Sequence, residues 1–159
     1  MKLKKQATIE VKPTSPFNFD ATFHKPDHFT SGDNYWEKGI RWQTWLWPSD
    51  AKALEGKQEK PLGLKFINSG TVDKPRIVVD IYYKEALSKP FIKSLVNEIK
   101  YRYNLNLDLT DFYKKFRDDS VLKPIIKKLY GMRPGHPSSL YEYLIIGVVL
   151  QNATVRRSI

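Results

Sequence analysis

Arg76-Ile77-Val78-Val79-Asp80-Ile81-Tyr82-Tyr83, followed eight positions later by the series Phe91, Leu95, Ile99 and Tyr103, holds the change of rhythm that decides the fold. The first run is rich in Val, Ile and Tyr, whose branched or aromatic side chains suit a pleated surface. The second places an apolar residue every fourth position, with Ile92 and Val96 beside it and Lys93, Asn97, Lys100 and Arg102 mostly outside, which is one face of an amphipathic helix. The chain therefore reads as β before about residue 88 and as α after it.

Working back, three more runs read as strands: Gln6 to Val11, Arg41 to Trp47 and Leu62 to Ile67. Turn residues separate them at Pro16, Pro26, Ser31-Gly32-Asp33-Asn34, Pro48-Ser49-Asp50, Gly70 and Asp73-Lys74-Pro75. Short strands at this spacing predict an antiparallel sheet. Asp50 to Lys60 is polar and reads as a short helix or a loop.

Working forward, the pattern predicts helices over Leu109 to Phe116 and Val121 to Tyr130, the latter with Ser120 as N-cap and Gly131 as its stop. Ser139-Leu140-Tyr141-Glu142 has capping-box spacing and opens a last helix. Its Leu144-Ile145-Ile146-Gly147-Val148-Val149-Leu150 is apolar all round, so burial on most sides is expected, with Gly147 admitting a close neighbour. No C-cap signal follows, so the sequence is expected to be cut there or to await another chain. The fold class expected is α+β: an antiparallel β-sheet domain over 1–88, then helices of an incomplete all-α domain over 89–159.

Composition narrows the function. The 159 residues carry 27 Lys+Arg against 17 Asp+Glu, a net charge of +10, which favours a polyanionic partner. Residues 84–130 hold 11 of the basic and 6 of the acidic side chains, interleaved with apolar ones as on solvated helix faces. Lys114, Lys115, Arg117, Lys123, Lys127 and Lys128 are the phosphate-contact candidates. With no Cys there is no disulfide framework and no thiolate site. Apolar runs fall short of the ~20 residues that span a bilayer, and no secretory leader is visible, so a cytoplasmic, nucleoid-associated protein is expected. His24 and His28 have a metal-like spacing, but Pro26 between them disfavours a helix, and no metal or cofactor is expected. No Gly-rich phosphate loop or nucleophile elbow occurs. Asp108 with Asp111, and Asp118 with Asp119, flank helix starts and read as caps rather than as an acid–base pair. Trp36, Trp42, Trp45 and Trp47 lie close together and, interleaved with Arg41, suit a base-stacking platform, but a sheet packed on both sides or an aromatic core is the favoured reading, with Trp45 and Trp47 on one strand face and Trp42 and Leu46 on the other. Gln151-Asn152, adjacent amides after an apolar helix, suit base-edge hydrogen bonding.

The order of several segments resembles the helix-hairpin-helix DNA glycosylase superfamily, in particular 8-oxoguanine and 3-methyladenine glycosylases. The segments are Asp108-Leu109-Thr110-Asp111-Phe112-Tyr113, Leu129-Tyr130-Gly131-Met132-Arg133-Pro134, Tyr141 to Ile146 and Leu150-Gln151-Asn152-Ala153-Thr154. Pro16 to Phe23 resembles that group's opening strand. The resemblance implies base excision repair: a damaged base is flipped from duplex DNA and its glycosidic bond is cut, by hydrolysis or with lyase chemistry. It implies that the hairpin, lysine and catalytic Asp lie beyond the matching segments, so no catalytic residue is expected in this chain. DNA-binding candidates are Gln151, Asn152, Arg133, Lys127, Lys128 and Arg156. The implied partners are double-stranded DNA with a damaged base and the remainder of the glycosylase, on the same or a second chain. The alternative is a non-catalytic basic nucleic-acid-binding module.

Overall fold

The computed structural model describes residues 3–24, 34–48 and 59–135, with Leu144, Gly147, Val148 and Gln151. Within them the fold is α+β. Five strands, β1 (Lys4–Val11), β2 (Asn34–Glu37), β3 (Ile40–Pro48), β4 (Glu59–Asn68) and β5 (Ile77–Tyr83), form one antiparallel sheet in the order β1-β5-β4-β3-β2. Four helices accompany it: α1 (Phe19–Phe23), α2 (Lys89–Arg102), α3 (Thr110–Phe116) and α4 (Leu122–Lys128).

Strand alternation sets the two faces of the sheet. Leu62, Leu64 and Phe66 of β4 and Ile77, Val79, Ile81 and Tyr83 of β5 point to the inner face, where all are buried. The stripe predicted on α2 covers that face, burying Phe91, Leu95 and Ile99. Phe91 meets Tyr83 and Trp47 at ring-centroid distances of 5.2 and 6.4 Å. The Ser88 hydroxyl caps α2 by accepting from the Phe91 amide. Trp45 is buried under the Arg102 guanidinium, 4.2 Å from its ring centre, and Trp36 and Trp47 pack against the same cluster, so the aromatic-core reading holds for these three; it fails for Trp42, which lies on the opposite face of the sheet.

Four expectations need correction. Phe19 to Phe23 is a helix, not part of an opening strand: Asn18 Oδ1 accepts from the Ala21 amide, and Phe19 and Phe23 stack at 4.5 Å before entering the core. Asn34, read as turn, begins β2, because Tyr35 and Trp36 pair with Trp42 and Arg41. Glu59 and Lys60, read as helix or loop, extend β4; residues 50–58 lie outside the described set. The cap of α4 is Asp119, whose Oδ1 accepts from the Val121 and Leu122 amides at 2.9 and 2.8 Å, and Ser120 makes no cap bond. Asp108 Oδ1 likewise accepts from the Thr110 amide at 2.8 Å, so these carboxylates do cap helix starts.

Asp80 lies on the outer face, nearly buried, and takes the Lys5 ammonium and the Thr8 hydroxyl, each at 2.7 Å. Burial pushes its carboxyl up, but the bonds from Lys5 and Thr8 outweigh it and leave the group below its usual value. Glu10, bonded to Arg76, and Asp108, bonded to the Thr110 hydroxyl and amide, are also held low. A carboxyl lowered in the folded state stabilises above its unfolded value, and the gain is lost as pH falls through the folded one. The melting temperature is therefore expected to hold steady down to about pH 5 and to fall below about pH 4. Asp80→Asn should melt lower near neutrality and show a shallower acid decline in circular-dichroism melts. An unchanged acid limb would remove Asp80 from this account.

Candidate nucleic-acid interface

Short helices α3 and α4 pair as a hairpin carrying most of the basic stretch. Tyr113 and Tyr130 stack at 4.9 Å between ring centres, and the Tyr113 hydroxyl accepts from the Gly131 amide at 2.9 Å. Neither helix buries a residue.

The six phosphate-contact candidates divide by what holds them. Lys114 lies 4.0 Å from Asp111, while Arg117 and Lys123 lie 3.1 and 4.0 Å from Asp118. Lys115 rides over the Phe116 ring at 5.3 Å. Lys127 and Lys128, in the last turn of α4, are exposed, and no carboxylate among the described residues pairs with them. Cations there complement the negative end of the helix and leave their ammonium groups open to an anion.

Arg133 sits elsewhere. It is only 2% exposed, so its guanidinium does not present to solvent. Nη2 donates to the Thr14 carbonyl at 2.9 Å, and its backbone amide donates to Thr22 Oγ1 at 3.1 Å. Nε and Nη1 have no hydrogen-bond partner among the described residues. Burial lowers its pKa, against the opposing pull of Tyr113 and Asp108. Its neighbours complete a strap: Asn104 Nδ2 donates to the Pro134 carbonyl at 2.6 Å, and the Asn18 amide to the Gly131 carbonyl at 2.8 Å. Residues 131–134 thus stitch the end of α4 to the N-terminal loop and to the end of α2, with Arg133 as the buried bolt.

Gln151 is exposed, its amide donating to the Val148 carbonyl at 3.3 Å. Asn152 and Arg156 lie outside the described residues, as do His28, His136 and most of the last predicted helix. Two of that helix's apolar side chains are described, and they are open: Leu144 is 56% and Val148 70% exposed. A Cβ added to Gly147 would meet nothing within 4 Å among the described residues outside its own helix and chain neighbours. The burial expected for this run is thus not met at Leu144 and Val148, and its other apolar residues lie outside the described set. Phe112, Val121, Ile125, Tyr130 and Met132 are exposed as well, so the hairpin shows apolar as well as basic surface.

Among the described residues no group of three or more His, Asp or Glu could hold a metal ion. His24 meets Trp36 edge-on, 4.7 Å between ring centres. No helix among them is long and apolar enough to cross a membrane.

No family model matches this sequence, and no curated protein matches it. A solved structure does resemble it: a 3-methyladenine DNA-glycosylase from Archaeoglobus fulgidus, with a TM-score of 0.64 at 12% sequence identity. The likeness covers 94% of this chain and 46% of that one, so the chain spans about half the length of the structure it matches. The chain has a DNA-glycosylase-like fold over that half.

Proposed function

We propose that the chain is the N-terminal part of a DNA N-glycosylase acting in base excision repair. It would hold duplex DNA at a flipped, damaged base, while the catalytic groups come from the remainder of the protein, on the same or a second chain. The observation that carries this reading is the fold likeness, which takes up nearly all of this chain but under half of its match. The apolar surface bared on α3, α4, Leu144 and Val148 supports it, since such surface calls for a cover. A self-sufficient binding module has less reason to leave it open.

In this reading Lys127 and Lys128 contact phosphates, Gln151 and Asn152 face the opened base pair, Arg156 adds charge, and no residue of this chain is catalytic. Arg133 supports the site from beneath as the bolt of the 131–134 strap. Localisation with the nucleoid follows from DNA as the partner.

Binding of a labelled duplex bearing an alkylated base, followed by fluorescence anisotropy across a salt series, tests the phosphate contacts. Each phosphate neutralised contributes about 0.9 to the slope of log affinity against log salt. The double variant Lys127→Ala/Lys128→Ala is expected to lower that slope by about 2 and to weaken binding roughly ten-fold at moderate salt. An unchanged slope would remove the two lysines from the interface.

A further inference from the structure

The sheet has a second face, turned away from α2, and no helix among the described residues is seated on it. Its central row runs across four strands by register: Asp80 of β5 opposite Lys65 of β4, Lys65 opposite Trp42 of β3, and Trp42 opposite Tyr35 of β2. The next row sets Tyr82 opposite Gly63, and Gly63 opposite Thr44. Between the rows lies an open groove of about 280 Å³, lined by Leu3, Tyr35, Trp42, Thr44, Gly63 and Tyr82, among others.

Three properties of the groove point to one kind of ligand. Its walls are aromatic: Trp42 and Tyr82 stand 5.9 Å apart between centres, tilted by 38°, and Tyr35 is 57% exposed. These rings are only partly spent on each other. Its floor is held open by Gly63, where a Cβ would come within 3.2 Å of Tyr82 Cβ and 3.4 Å of Leu3 Cδ1. Its charge is basic. Lys65 Nζ lies 4.6 Å over the Trp42 ring, while Lys5 beside the same rows is paired with Asp80. The carboxylate among them, Asp80, is already taken up by Lys5 and Thr8, and Glu10 farther along is taken up by Arg76.

We infer that this face binds single-stranded nucleic acid, with unpaired bases stacked on Trp42, Tyr82 and Tyr35 and the backbone phosphate met by Lys65. Aromatic faces interleaved with lysines are what such a strand requires, and bases already stacked inside a duplex cannot use them. The four strands of the central row span three inter-strand steps, about 14 Å, room for two or three nucleotides. An apolar peptide or a second copy of the chain would gain nothing from Lys65 held over the tryptophan. This surface shares no residue with the duplex-binding set on and beyond α4, so the two readings fail separately.

The test is anisotropy of a labelled oligothymidylate of about 12 nucleotides, long enough to cross the groove, titrated with the full chain at low salt. Saturable binding is expected, weakened about ten-fold by Trp42→Ala and by Lys65→Glu and less by Tyr35→Ala. Lys127→Ala/Lys128→Ala should retain most of it. Lys65→Glu alters a side chain that is not in the core, so it serves if Trp42→Ala fails to fold, and a circular-dichroism melt checks both. Binding that does not saturate, or that Lys65→Glu leaves unchanged, overturns the inference. So does sedimentation equilibrium showing dimers that Trp42→Ala abolishes while oligothymidylate binding stays at the parent level, which would make the face a contact between copies.

Discussion

Gly131→Ala is expected to destabilise the chain by about 3 kcal/mol, with two effects adding. Gly131 has φ +81°, a region that costs an L residue roughly 1–2 kcal/mol. An added Cβ would also stand 2.8 Å from the Asn18 nitrogen and 3.0 Å from the Phe17 carbonyl carbon, both backbone atoms of a packed loop. Relief requires the strap to lift, which strains the bond from the Asn18 amide to the Gly131 carbonyl and costs about 1–3 kcal/mol more. Gly39→Ala separates the two effects. Gly39 has φ +79°, but no described residue lies within 4 Å of its would-be Cβ, so only the conformational cost of roughly 1–2 kcal/mol should appear. Urea denaturation of both variants gives the comparison, and equal losses would dismiss the clash. If the strap carries the α3–α4 hairpin, Gly131→Ala should also weaken duplex binding while leaving Lys127 and Lys128 in place.

Phe66→Ala should be costlier still, about 3–5 kcal/mol, the range for emptying a large aromatic from a core. Phe66 has no exposed surface, and its ring lies 5.0 Å from Phe23, 5.6 Å from Tyr103 and 6.5 Å from Trp45, centre to centre. Those partners come from α1, the end of α2 and β3, so the cavity would open where three elements converge on β4. A domain of this size holds about 5–15 kcal/mol in all, and the variant would lose a large share of it. Phe66→Leu, which refills most of the volume, should lose under about 1.5 kcal/mol. Denaturant midpoints of the two variants are the measurement, and a loss below about 1 kcal/mol in Phe66→Ala would mean that the three elements close over the gap.

What could be read in the sequence followed the range of the forces involved. The run Ile77 to Tyr83 and the fourfold spacing from Phe91 to Tyr103 are local periodicities, and both became the elements they promised. Helix α1 has five residues, too few for a period to show, and its one local sign was Asn18 before Phe19. Strand β2 was hidden because Tyr35 and Trp36 sit between two turns, and only pairing with β3 reveals them. Asp119 and Ser120 are both good caps, and the backbone path alone selects Asp119. Within the candidate interface, the charge of α3 and α4 was legible but its pairing was not: Asp118 reaches both Arg117 and Lys123 across a turn. The burial of Arg133, a DNA-binding candidate from the resemblance, was not legible because its acceptor, the Thr14 carbonyl, is 119 positions away in the chain. The outer-face groove was half visible in the alternation that sets Trp42 opposite to Trp45, but its register with Lys65 and Tyr82 required the sheet.

Strand β1 forms an outer edge of the sheet, and β5 is the neighbour it pairs with, Thr8 facing Asp80 across 72 positions. Strands β2 to β5 pair each with the next in sequence, whereas β1, the first of the described strands, pairs with β5, the last of them. During synthesis it emerges with Val11 and Ile9 ready for a partner that is made only several seconds later, at ordinary elongation rates of ~5–20 residues per second. Lys2, Lys4, Lys5 and Lys12, in and around that segment, favour its solubility and disfavour its pairing with other copies. The long sequence separation makes the β1–β5 ladder the pairing expected to form late in folding, with the basic residues of β1 set against self-pairing until it does.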